Sequence, residues 1–188
     1  MLELNFHPFP VLETPRLRLR KISLRDQEEF FLLRSSKIVM KYIDRPLAKS
    51  REDACQLIEM MIDLIDRNQG LTWTISLIEN PRMIGTVHLW KISQENYRAE
   101  IGYLLEPAFQ GQGLMHESLG AIIHYGFGRL KLHSIEANVN PKNTASIRLL
   151  EKSGFVREGY FKENYFYEGR FQDSAIYSIL TPHKSNQV

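Results

Sequence analysis

Cysteine is nearly absent from this chain: Cys55 is the only one in 188 residues. A single thiol excludes an internal disulfide and leaves a cysteine-based metal site without partners. Its setting in ACQLIEMMIDLI, an apolar helical run, reads as inert packing. Charge of one sign is also lacking, with 24 Lys and Arg against 22 Asp and Glu and a formal net charge of +2. No global attraction to a nucleic acid or an anionic membrane is therefore expected. No run approaches the ~18 apolar residues of a membrane span. The opening MLELNFHPFP has neither the basic start nor the apolar core of a secretion signal, so the cytoplasm is the expected compartment. Repeats, low-complexity blocks and linkers are missing as well. The length suits one well-buried core, a single domain over residues 1–188.

What is present is periodicity. RLRLRKI (Arg16 to Ile22) alternates charge and apolar residues, a half-buried strand whose arginines are read as its solvated face. Ser23 caps a helix through DQEEFFLLRSS, with Asp26 at its third position. Ser50 caps a second helix, in which Ala54, Leu57, Ile58, Met61 and Ile65 recur at helical spacing before Gly70. Strands follow at LTWTISLI and MIGTVHLW, joined by a turn at ENPR, and then at AEIGYLLE (Ala99 to Glu106). A long helix carries Met115, Leu119, Ile122, Ile123, Gly126 and Leu130 on one face. HSIEANVN is a further strand, Asn143 to Ser153 a short helix, and Phe155 to Leu180 two strands around Glu168-Gly169. The order predicts one α+β domain around a single sheet.

Between strand and helix lies FQGQGLMHES. Glycine lets backbone approach a ligand, and a helix start offers unpaired N–H groups at a positive dipole end, so the context suits a phosphate. No lysine follows the glycines, which excludes a P-loop. His116 occupies the third glycine position of the dinucleotide fingerprint, which excludes that too. Gly-x-Gly by itself is equally compatible with a plain turn.

AEIGYLLEPAFQGQGLMHESL together with NPKNTASIRLLEKSGF resembles the GNAT family of acyl-CoA-dependent N-acetyltransferases. The hexad from Ala108 to Gly113 is similar to the family's Gln/Arg-x-x-Gly-x-Gly/Ala, with Ala108 replacing the usual first residue. The spacing of Pro107, Gly111 and Gly113, and of Asn143, Ser146, Lys152, Gly154 and Phe155, resembles the RimJ/RimL-type branch. So do Glu13-Thr14-Pro15-Arg16-Leu17 near the start and Glu158-Gly159, Gly169, Asp173 and Tyr177 near the end. The resemblance spans about residues 12 to 180.

It implies the GNAT fold: a mixed, mostly antiparallel sheet of six or seven strands flanked by helices and split by a bulged strand. It implies acetyl-CoA as co-substrate and no metal. Backbone N–H groups from Gln110 through Gly111, Gln112, Gly113 and Leu114 to Met115 would hold the pyrophosphate. Pantetheine would pair with Tyr103, Leu104 and Leu105. A bulge in that strand would splay it from the next one and leave an N–H near Ile101 to Tyr103 for the thioester oxyanion. Glu100 is the candidate general base, with a solvent-facing or salt-bridged strand carboxylate as the other reading. Ser146 matches a serine suggested to protonate the thiolate, or simply bonds backbone. Asn143 matches a pantetheine contact and also suits an N-cap. Asn138 and Tyr103 are secondary contacts.

His88 either lines the acceptor cleft or is structural, and His116, in a first helical turn, should be neutral. The aromatic run YFKENYFY either shapes the acceptor mouth or packs on a sheet face. No covalent intermediate is required. An α-amine of pKa ~7.7 loses about 1 kcal/mol to protonation at pH 7, against about 4.6 for a lysine at ~10.4. A weakly equipped base therefore suits a protein N-terminus, by resemblance a ribosomal one. A polyamine, amino sugar or amino acid acceptor, or a non-catalytic acyl-CoA-binding module, are the alternatives. A monomer or homodimer is expected.

Overall fold

The computed structural model describes residues 1–182. Strand β1 (Leu12–Glu13) pairs with β2 (Leu17–Lys21), whose Leu17 and Leu19 are fully buried. A short 3-10 turn at Leu24–Asp26 precedes α1 (Gln27–Ser35), where the Asp26 carboxylate accepts from the Ser23 N–H. Residues 36–49 lead to α2 (Arg51–Asp66), capped reciprocally by Ser50 and Asp53. Then come β3 (Leu71–Leu77), β4 (Asn80–Ser93), β5 (Arg98–Leu105), α3 (Leu114–Gly128), β6 (Ser134–Val139), α4 (Thr144–Lys152), β7 (Val156–Tyr167) and β8 (Arg170–Leu180).

The eight strands form one sheet in the order β1-β2-β3-β4-β5-β6-β8-β7, antiparallel except for β5 with β6. The strand beyond the expected six or seven is β1, whose two residues are too few to carry a period-two signal. β4 also starts earlier than the ENPR turn suggested. Pro81 enters the strand because it lies in a register irregularity opposite Ser76 and Leu77, where no ladder N–H is needed.

Side-chain alternation divides the sheet into two faces. Trp73 stacks edge-on against Tyr125 of α3, with ring centroids 5.7 Å apart, so Trp73 and its cross-strand partner Val87 face α3. Register then places Leu89, Ile101, Tyr103 and Leu105 on that face. With Leu119, Ile122 and Ile135 they belong to the main core, each buried aliphatic side chain contributing about 1.5–3 kcal/mol. The opposite face carries Thr72, Thr74, Thr86, His88, Trp90, Glu100 and Gly102, and α1 and α2 cover part of it. There the Thr74 hydroxyl donates to Asp26, which also binds Arg20 at 2.6 Å.

The arginines of RLRLRKI are thus not simply a solvated face. Arg20 is tied to Asp26, Arg16 to Glu117 at 2.6 Å, and Arg18 lies exposed 3.7 Å from Glu13.

Candidate active site

The split in the sheet lies where the acceptor and donor would meet. β5 and β6 pair in parallel only at Arg98–Ser134, Ala99–Ile135 and Glu100–Glu136, and beyond Glu100 the two strands diverge. The bulge expected in β5 is instead on its neighbour. β5 keeps register with β4 from Glu100 to Leu105, whereas Lys91 and Ile92 of β4 together face Ala99. Lys91 takes a left-handed φ of 46° to make this kink, a conformation no sequence pattern marks.

Glu100 is 8% exposed and sits at the apex of the split. Its carboxylate accepts from Lys91 Nζ at 2.7 Å, and that ammonium also lies 5.1 Å from the Trp90 ring centroid. The salt-bridged reading of Glu100 therefore holds, without removing it from the cleft. His88 stacks edge-on with Trp90 at 5.1 Å and leans over Gly102. A Cβ at position 102 would lie 2.3 Å from His88 Nε2, which is why glycine interrupts this strand. Burial, with Arg34 adding to it, lowers the His88 pKa to about 4, so its imidazole is neutral. His88 Nδ1, Trp90 Nε1, Arg34 Nε and Gln172 Nε2 are buried without a hydrogen-bond partner among the described residues.

On the α3 face, the Tyr103 hydroxyl bonds Ser146 Oγ at 2.6 Å, joining β5 to α4 across the divergence. Burial pushes the Tyr103 phenol up to about 12, opposed by the Ser146 hydrogen bond, so it remains protonated. Asn143 Oδ1 accepts the Ser146 N–H at 3.1 Å. It is an N-cap, and its amide nitrogen keeps two donors for another partner. Asn138 is exposed and, by alternation with the buried Ala137 and Val139, projects from the other face of β6. The structure does not bring it to the Tyr103–Ser146 pair.

The glycine loop closes the same end of β5. Gly111 and Gly113 have φ of 74° and 77°, and Gly113 is the N-cap of α3 with no side chain capping the helix. The first N–H groups of α3 are consequently left for a ligand. A Cβ at Gly111 would meet nothing within 4 Å. Gln110 Nε2 donates to the Leu105 carbonyl at 3.0 Å, and Gln112 Nε2 to the Ala108 carbonyl at 2.9 Å. Both glutamine side chains brace the loop, so any phosphate bonds from these positions fall to the backbone. Leu104, Leu105, Leu114 and Met115 are buried around it. Open space over Gly111, uncapped N–H groups and a strand edge freed beyond Glu100 fit a pyrophosphate followed by an extended amide arm.

His116 Nδ1 lies 3.0 Å from Ser153 Oγ, linking α3 to the end of α4. The aromatic run is the edge strand β7: Tyr165 donates to Asp44 of the α1–α2 connection, and Phe166 stacks on Phe171 at 5.2 Å. Tyr165 and Asp44, whose bond spans from β7 to the α1–α2 connection, were not singled out as a pair in the sequence, since 121 positions separate them. Among the described residues no cluster of His, Cys, Asp and Glu could hold a metal, and no helix is long and apolar enough to cross a membrane.

Comparisons with known proteins agree with this geometry. Residues 16–156 match the acetyltransferase (GNAT) domain family. An uncharacterised N-acetyltransferase of Bacillus subtilis, YoaA, is 35% identical over 176 residues, covering 94% of this chain and 99% of that protein. The ribosomal protein uS5 alanine N-acetyltransferase of Escherichia coli is 32% identical over 61% of this chain and 60% of its own length. Among solved structures, a GNAT-family acetyltransferase from Bacillus anthracis superposes with TM-score 0.82 at 31% identity, covering 91% of this chain and 98% of that one. A spermidine N-acetyltransferase from Vibrio cholerae, in complex with CoA and spermine, superposes at 0.78 with 28% identity, covering 89% and 96%. With the glycine loop, the split sheet and these matches together, the chain belongs to the GNAT family of acetyl-CoA-dependent N-acetyltransferases, in its RimJ/RimL-like branch.

Proposed function

We propose that this enzyme transfers acetyl from acetyl-CoA directly to the α-amine of a protein N-terminus, in the cytoplasm, with a ribosomal protein as the leading acceptor class. The observation that carries the reading is the character of the acceptor face. Both carboxylates at the apex are already paired, Glu100 with Lys91 at 2.7 Å and its register partner Glu136 with Arg98. His88 Nδ1 and Trp90 Nε1 on the same face are buried and, among the described residues, without partners. An acceptor face whose apical carboxylates are already paired poorly suits a polycation and is open to a single amine.

In this reading Glu100 takes the proton of the attacking amine, directly or through water, as Lys91 yields its place. One N–H between Ile101 and Tyr103, on the edge of β5 turned away from β4, receives the developing negative charge. Ser146, held by Tyr103, protonates the departing thiolate, and Asn143 positions the pantetheine arm through its free amide. The new N–C bond replaces the C–S bond, and the acceptor's proton leaves through Glu100. The loop from Gln110 to Met115 seats the pyrophosphate.

The spermidine N-acetyltransferase relative favours a second reading, a polyamine acceptor. Offering the purified enzyme acetyl-CoA with a library of N-terminal peptides, spermidine and amino sugars, followed by mass spectrometry, separates the two. Acetylated peptide α-amines are expected. Transfer to spermidine with no peptide product would overturn the peptide reading, and tight CoA binding without transfer to any amine would overturn enzymatic function.

A further inference from the structure

The loop assigned to the pyrophosphate has a carboxylate beside it. Glu117 lies in the first turn of α3, where an unpaired negative charge would oppose an incoming polyphosphate at short range. Both oxygens of that carboxylate are instead engaged by residues from the start of the chain. Oε1 accepts from the Thr14 hydroxyl at 2.6 Å and from the Arg16 N–H at 3.0 Å. Oε2 accepts from Arg16 Nε at 2.6 Å, and Arg16 Nη2 forms an ion pair with the same oxygen at 2.6 Å. Burial raises the Glu117 pKa, but the hydrogen bonds from Thr14 and Arg16 outweigh it and hold the carboxyl below its usual range.

The same guanidinium has a third arm. Arg16 Nη1 donates to the Gln112 carbonyl at 3.0 Å. In a trans peptide the C=O and the following N–H point in opposite directions. Fixing the Gln112 carbonyl toward Arg16 therefore turns the Gly113 N–H away from it. The approach is close: a Cβ at Gly113 would lie 3.6 Å from Arg16 Nη2. Thus one arginine, about a hundred positions upstream, neutralises the acid beside the loop and orients the peptide at its centre.

We infer that Arg16, locked by Thr14 and Glu117, is a positioning residue for the acetyl-CoA pyrophosphate, setting the Gln112–Gly113 peptide so that its N–H and those of the first turn of α3 converge on phosphate. This rests on the loop being the pyrophosphate seat. It gives the Glu13-Thr14-Pro15-Arg16-Leu17 segment a task in donor binding. The planar fork is required: a lysine supplies the charge for Glu117 but cannot bridge Glu117 and the Gln112 carbonyl at once.

The test is CoA binding by calorimetry, without acceptor, for Arg16→Ala, Arg16→Lys and Gly113→Val. Pantetheine, which has the arm without the pyrophosphate, is the control ligand, followed by ligand-observed NMR. Arg16→Ala should weaken CoA binding about tenfold or more, and Arg16→Lys should recover only part of it. Pantetheine binding and the thermal midpoint of ligand-free Arg16→Lys should stay near wild type. Equal losses for CoA and pantetheine would show a general structural role and overturn the proposal. Unchanged CoA affinity in Arg16→Ala, with a loss in Gly113→Val, overturns the positioning role alone. Unchanged affinity in both removes the seat, and the role of Arg16 with it.

Discussion

Glu100 is bonded to Lys91 at 2.7 Å, so the proposed use of Glu100 as a base would require exchange of one cation for another. Glu100→Gln should lower kcat toward a lysine ε-amine by about 10²-fold, within the usual range for a general base. The loss should be smaller for an α-amine, whose pKa of ~7.7 leaves a sizeable neutral fraction at pH 7. Initial rates should show that smaller deficit narrowing as the pH is raised past about 8. His88 gives a stability prediction. Its pKa is lowered from 6.5 to about 4 in the folded protein, first by burial and then by Arg34. Between those values the unfolded chain binds the extra proton and the folded one does not, so stability falls as pH drops through the window. Thermal midpoints should decline as pH falls from about 6.5 toward about 4, and His88→Gln should flatten that decline. The sequence left open whether His88 was structural. Only the neighbouring Gly102 and Trp90, brought alongside by strand register, decide that its ring is buried.

At the scale of elements, α3 was legible because its apolar face repeats at helical spacing and its start is marked by glycine. Leu119, fully buried on that face, should cost about 2–5 kcal/mol when cut to alanine. Denaturant unfolding would measure this, with CoA affinity of the folded protein little changed, because the loop geometry is set by Gly111, Gly113 and Arg16. The β5–β6 divergence was expected, but its bulge was assigned to the wrong strand. A bulge is a relation between two strands, and the sequence of β5 alone does not state which partner carries the extra residue. The hydrogen bond between Tyr103 and Ser146 is equally hidden in the sequence, where each residue stands in its own motif. Their pairing follows from α4 docking beside the end of β5.

For the whole molecule, the near balance of charge has a kinetic consequence. With a formal net charge of +2, long-range steering of acetyl-CoA is weak, and attraction should come from the loop's own dipoles. Stopped-flow association of CoA should therefore slow only modestly, by less than about threefold, between low and physiological salt. A steep decline would point to a basic field that the composition does not contain.

The sequence by itself determined the family, the mixed sheet and the donor. Those depend on local chemistry: glycines where backbone must approach phosphate, caps at helix starts, and apolar periods that need no distant partner to be read. The tertiary structure alone decided what surrounds that chemistry. It placed Lys91 on Glu100, Tyr103 on Ser146, Tyr165 on Asp44 and Arg16 between Glu117 and Gln112. Three of those four contacts join positions more than 40 residues apart, and the fourth crosses a β-bulge. Each exists because strand register and helix docking bring side chains together, and neither is written in a local run of residues.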